Sequence, residues 1–140
     1  MYTYNVTIKE IIDGDTIRVD IDLGFDSWII NESVRLAGID APESRTSDPD
    51  EKIFGILTKQ WIIDNVLVGS TQRMQSIEFK RGKFGRVIGE FIIDNTFNLN
   101  EKLVDKHLAV VYNGIESKED LKEQHLANRK YLIEHENFRP

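Results

Sequence analysis

A chain of 140 residues, 40% hydrophobic and 30% charged, is long enough to bury its own core and suits a single domain over residues 1–140. With no cysteine it can hold no disulfide framework, no thiolate zinc centre and no cysteine nucleophile. The net charge of −6 works against holding nucleic acid by bulk electrostatics, but from Ser70 to Glu90 five basic residues (Arg73, Lys80, Arg81, Lys83, Arg86) face two acids (Glu78, Glu90), so this strip carries +3 and the remainder −9.

The strip reads either as a phosphate-binding element or as a solvated hairpin. No apolar run approaches the roughly 20 residues that span a bilayer, so no membrane partner is expected. Met1 to Glu10 alternates polar and apolar residues without a basic start or an apolar stretch, unlike a secretory signal. An intracellular protein is expected, or a secreted one if a leader has been removed, and the sequons at Asn5 and Asn31 are expected to be idle.

Apolar residues at every second position, Tyr2, Tyr4, Val6, Ile8 and then Ile17, Val19, Ile21, Leu23, predict two strands joined by the turn Asp13-Gly14-Asp15. A third strand is predicted from Trp28 through Val34 and Leu36 to Ile39, after a bend at Gly24 to Ser27. Asp40-Ala41-Pro42 ends it, because Pro42 holds Ala41 extended, and Ser44 to Asp50 reads as a loop. Ile53, Phe54, Leu57, Trp61 and Ile62 predict a helix from about Glu51 to Val68, with Gly55 inside it at a cost of about 1 kcal/mol relative to alanine. Strands at Met74 to Phe79 and Arg86 to Ile93 flank the basic stretch Lys80 to Gly85. A short helix follows from Leu99 to Leu108, and a last one runs to about Glu136, opened by Ser117 as cap with Asp120 in its first turn. Five short strands and three helices define an α+β domain whose strands suit a small Greek-key barrel.

Asp15 begins one strand and Asp40 ends another, so the two carboxylates converge if those strands are neighbours. Two carboxylates and a backbone carbonyl are hard oxygen ligands that suit Ca²⁺ or Mg²⁺; an aspartate in a turn equally serves plain turn chemistry. Arg35, between Val34 and Leu36, points to the opposite face from those core-type residues, either to solvent or to an anion. Arg86 follows Gly85 at a strand start, and two arginines together match a phosphodiester whose charge rises in the transition state. Glu43, just past Pro42, is placed to hold or deprotonate a water. His107, His125 and His135 lack zinc-helix spacing and read as surface or packing histidines. Asp20-Ile21-Asp22-Leu23-Gly24 looks like the start of a calcium loop, but Asn31 stands where that loop needs its glutamate. Gly82-Lys83-Phe84-Gly85 has the Gly-x-x-Gly pattern of KH domains, yet lies between strands rather than helices.

Taken in order, Ile12-Asp13-Gly14-Asp15-Thr16, Val34 through Glu43, and Lys83-Phe84-Gly85-Arg86 resemble the staphylococcal nuclease (thermonuclease) family. Weaker echoes are Leu99 to Val104 and Glu123-Gln124-His125-Leu126, and the resemblance covers about Val6 to Phe138. It implies a five-stranded Greek-key OB-fold β-barrel with three α-helices and a Ca²⁺-dependent endonuclease, a phosphodiesterase acting on DNA and RNA. On this resemblance Asp15 and Asp40 ligate calcium with the Ala41 carbonyl, Glu43 activates the attacking water, and Arg35 and Arg86 grip the phosphate. Lys83, Phe84 and Tyr112 are the substrate-binding positions, and cleavage leaves 3′-phosphates.

Several residues depart from the family pattern. Phe84 and Val110 stand where substrate-site tyrosines are common, although Tyr112 remains. Asp48 and Asp50 make the Ser44–Asp50 loop acidic, the hairpin containing Trp28 is long, and His107 replaces a helix-end glycine, which predicts a positive φ there. A monomer is expected, with single-stranded DNA and RNA favoured over duplex. The alternative is a non-catalytic nucleic-acid-binding OB-fold module; a third reading, a plain OB-fold binder of single strands, relies on a positive groove with exposed aromatics, and the acidic surplus argues against it.

Overall fold

In the computed structural model, which describes residues 2–79 and 86–140, the elements follow as β1 (Tyr2–Asp13), β2 (Thr16–Gly24), β3 (Ser27–Leu36), β4 (Ile39–Asp40), α1 (Pro49–Asn65), β5 (Thr71–Phe79), β6 (Val87–Ile93), β7 (Phe97–Asn98), α2 (Leu99–Asp105), β8 (Val110–Val111) and α3 (Lys118–His135). β1, β2 and β3 form an antiparallel meander, β5 adds antiparallel to β1, and β6 to β5. β3 and β6 then pair in parallel, Val34 with Val87, Arg35 with Ile88 and Leu36 with Gly89, which closes β1-β2-β3-β6-β5 into a five-stranded barrel. This is the expected OB-like α+β barrel with its three helices among the described residues.

Alternation supplies the core. Val6, Ile8, Ile17, Val19, Ile21, Val34, Leu36, Met74, Val87, Phe91 and Ile93 are each at most 4% exposed. A register shift between Ile8 and Glu10 moves the inward position of β1 from even to odd numbers, so that Ile11 is buried next and the strand end is re-aimed into the Asp13-Gly14-Asp15 turn.

Four boundaries in three of these elements differ from the sequence expectation. The third strand stops at Leu36 rather than Ile39; Gly38 turns the chain at φ +75, and Ile39–Asp40 leaves the barrel to pair with Val110–Val111. α1 starts at Pro49, not Glu51, because Asp48 accepts from the Asp50 and Glu51 N–H groups at 3.0 and 3.4 Å and proline suits the first turn. It ends at Asn65, where Val66 turns extended and enters the core. α2 ends at Asp105, three residues short of expectation. His107 has φ 61, as the helix-end position predicts, and the Leu108 N–H reaches back to the Leu103 carbonyl at 2.9 Å. The His107 ring stacks on Tyr131 of α3 at 3.6 Å between centroids, a contact that offsets a backbone conformation glycine would adopt freely.

The glycine inside α1 has a steric reason. A Cβ at Gly55 would lie 2.3 Å from the Glu43 carbonyl oxygen and 2.6 Å from the Ser44 nitrogen, and one at Gly14 would lie 2.7 Å from Thr58 Cγ2 and 2.9 Å from Ala41 Cβ. These two glycines allow α1, the β1–β2 turn and the segment after β4 to meet. Thr58 fixes the third side by donating its hydroxyl to the Leu108 carbonyl at 2.7 Å. Helix propensity alone would make Gly55→Ala stabilising by about 1 kcal/mol. Overpacking against backbone that cannot move aside reverses the sign, and denaturant unfolding of Gly55→Ala is expected to show a net loss of about 1–3 kcal/mol.

Candidate active site

Register brings the first pair of charges together. Asp13 uses its side chain on the Gly14 N–H at 2.9 Å, which is turn chemistry, and Asp15 follows as a buried residue at 8% exposure. Thr16 pairs with Arg35 across β2 and β3, and the Leu36 N–H donates to the Asp15 carbonyl at 2.9 Å. Arg35 Nη1 therefore reaches Asp15 Oδ2 at 2.6 Å, while its Nη2 lies 3.3 Å from the Ile39 carbonyl and 3.4 Å from Asp40 Oδ1. The Ala41 N–H donates to Asp15 Oδ2 at 3.2 Å, tying the turn to the end of β4. On its other side Asp40 Oδ2 lies 2.8 Å from His125 Nε2 on α3.

Burial disfavours both charged partners, yet the pairing prevails. Desolvation alone would lower the pKa of Arg35; the charge and hydrogen bond of Asp15, then those of Asp40, raise it above the ordinary guanidinium value. Desolvation likewise pushes Asp40 up, and the hydrogen bond from His125 with the charges of His125 and Arg35 more than reverses it, holding this carboxyl below the ordinary aspartate value. Asp15 and Asp40 are thus both aimed at one positive group.

Asp15, Arg35, Asp40, Glu43, Arg86 and His125 line one open cavity of about 530 Å³. Glu43 is exposed at its mouth, and Arg86 is half-buried immediately before β6. Half-buried Tyr112 lies elsewhere: it lines a neighbouring cavity, also about 530 Å³, that shares Arg35 and includes Leu36 and Ile88. Its N–H donates to the Gly38 carbonyl at 2.8 Å. Val110, expected to stand at a substrate-site position, is instead 4% exposed, pairs with Asp40 and lines neither cavity. Lys83 and Phe84, and the basic stretch Lys80 to Gly85 with them, lie outside the described residues.

His125 corrects the sequence expectation, which treated all three histidines as packing or surface residues. No spacing rule marks it, since its partner is 85 positions away; its only sequence signal is its place in Glu123-Gln124-His125-Leu126. His107 and His135 flank Tyr131 in ring contacts, as packing residues do.

The donor chemistry fits a hard cation. Among the described residues no group of three or more histidine or acidic side chains is arranged to hold a metal ion. What the site offers is two carboxylates that converge on the Arg35 guanidinium, with the Ala41 N–H bonded to the Asp15 carboxylate. Such a donor set suits calcium or magnesium completed by water or phosphate oxygens.

A closed five-stranded barrel with a cleft lined by both anionic and cationic side chains makes an OB-like domain, and the family it matches is one of nucleases and nucleic-acid-binding modules. Residues 33–131 match the family model described as staphylococcal nuclease homologue, and the chain belongs to that family. Arg35, Asp40, Ala41, Glu43, Arg86, Tyr112 and His125 fall inside the matched span, and Asp15 precedes it. No curated protein matches the chain. None of its helices is long and apolar enough to cross a membrane, among the described residues.

The Arg35 bridge makes a stability prediction. Arg35→Met leaves two mostly buried carboxylates without their shared counter-ion and is expected to cost about 3 kcal/mol or more in denaturant unfolding at neutral pH. Adding Asp15→Asn to Arg35→Met is expected to recover part of that loss, and strict additivity of the two changes would show that the pair is uncoupled.

Proposed function

We propose that this protein is a calcium-dependent endonuclease, a phosphodiesterase that hydrolyses DNA and RNA with single strands preferred and leaves 3′-phosphate ends. The observation that carries the reading is the convergence of Asp15 and Asp40 on Arg35 in a cavity that Glu43 and Arg86 also line. A general base, two guanidiniums and a hard-oxygen cation site in one open cleft form the set that in-line displacement at phosphorus requires.

In this mechanism Asp15, Asp40 and the Ala41 carbonyl hold calcium, which when bound neutralises phosphate oxygens. Glu43 orients a water toward phosphorus and takes its proton. Arg35 and Arg86 bind the non-bridging oxygens and stabilise the extra negative charge of the pentacovalent transition state. The bond to the 5′-oxygen breaks, giving a 5′-hydroxyl on one fragment and a 3′-phosphate on the other. An open cleft that must reach both sides of a phosphate favours flexible single strands. The acidic Asp48 and Asp50 near its rim weaken the hold on long nucleic acid and leave selectivity to the cleft itself.

Cleavage of heat-denatured DNA and of RNA, measured with calcium, with magnesium and with a chelator, tests the reading. Calcium-dependent cleavage is expected, with Arg86→Ala or Arg35→Ala lowering turnover by about 10²–10³-fold, as for the loss of one charge-stabilising donor. Wild-type turnover in Arg86→Ala would remove the phosphate-clamp assignment. Glu43→Gln is expected to reduce turnover by about 10²–10⁴-fold while calcium-dependent ligand binding persists. Folded wild-type protein that binds nucleic acid in chelator and never cleaves it would establish the binding module instead.

A further inference from the structure

We propose that His125 is a positioning residue that fixes the Asp40 carboxylate for cation binding, an inference that rests on the calcium-site reading above. Asp40 sits at the end of a two-residue strand whose backbone is held by the short pairing with Val110–Val111, and that pairing leaves its side chain free to turn. Left to itself, a carboxylate in that position rotates about its side-chain bonds, and a two-carboxylate site can ill spare the entropy of ordering one of its ligands.

His125 removes that freedom. Its Nε2 lies 2.8 Å from Asp40 Oδ2, and an ionised carboxylate only accepts, so the bond is donated by the imidazole N–H. Among the described residues its Nδ1 is buried and without a hydrogen-bond partner. Its helix is latched beside the same segment, because Asn128, one turn further along α3, donates to the Ala109 carbonyl at 3.1 Å. One carboxylate oxygen is thus committed to α3. The other, Oδ1, faces Arg35 Nη2 at the looser distance of 3.4 Å, on the side where Asp15 converges, and is the oxygen left to a cation. This is the relation by which outer hydrogen bonds orient metal ligands, here with the imidazole serving the carboxylate.

A purely structural role, tethering α3, gives a different result in binding. The test is calorimetric titration of calcium, without nucleic acid, into wild-type protein, His125→Gln and His125→Met, with circular dichroism to verify folding. Glutamine carries an N–H at about the reach of Nε2; methionine fills similar space with no donor. Calcium affinity is expected to fall by about 10–100-fold in His125→Met and to stay within about threefold of wild type in His125→Gln. If His125→Met does not fold, His125→Asn, whose amide stops short of Asp40, must bind calcium more weakly than His125→Gln. Equal calcium affinity in wild type and the folded donor-deficient variant overturns this inference alone. Absence of calcium binding by wild type at millimolar concentration overturns the metal reading itself and this inference with it.

Discussion

The parallel pairing of β3 with β6 is the constraint on which the cleft depends. It is the parallel join that closes the barrel, and Arg35 sits in its middle, opposite Ile88. Because β3 is also paired with β2 through Thr16 and Arg35, the same residue is fixed from both sides. Asp15 is then placed by the turn that starts β2, and Arg86 by the residue that leads into β6. A shift of one residue in the closing register would turn Arg35 into the core and Val34 into the cleft, so hydrophobic burial of Val34 and Leu36 also aligns the charges.

The electrostatics follow from this placement. In a chain of net charge −6, two aspartates brought together on purpose are unfavourable unless something positive lies between them. Arg35 supplies that charge from within the fold, and His125 takes the remaining oxygen of Asp40. The stretch from Val34 to Glu43 is therefore both scaffold and chemistry. Its apolar members pack inward while Arg35, Asp40 and Glu43 reach the cavity.

Much of this was legible in the residues. Strict alternation in Val6–Ile8 and Ile17–Leu23 located the hairpin strands, and the contiguous Val34-to-Glu43 motif located Arg35, Asp40 and Glu43 in the cleft, because those residues are close in sequence as well as in space. What was hidden depended on distant partners. The Asp40–His125 bond, the diversion of Ile39–Asp40 to Val110–Val111 and the inward turn of Val110 all join segments whose proximity only the closed barrel creates. Gly55 misled for the same reason. Its cost to helix propensity is local and visible, whereas the Glu43 carbonyl that excludes any side chain there comes from another segment.

Those two close-approach glycines separate architecture from chemistry. Gly14 and Gly55 answer to neighbours in the core of the cleft wall, not to substrate. Any chain that keeps this close approach of helix, turn and strand end carries the same demand for a side-chain-free residue at both positions, whatever lines the cavity. Glycine at these two places thus answers to the packing of the cleft wall, and the acidic and basic residues that line the cavity are the ones that bear on chemistry.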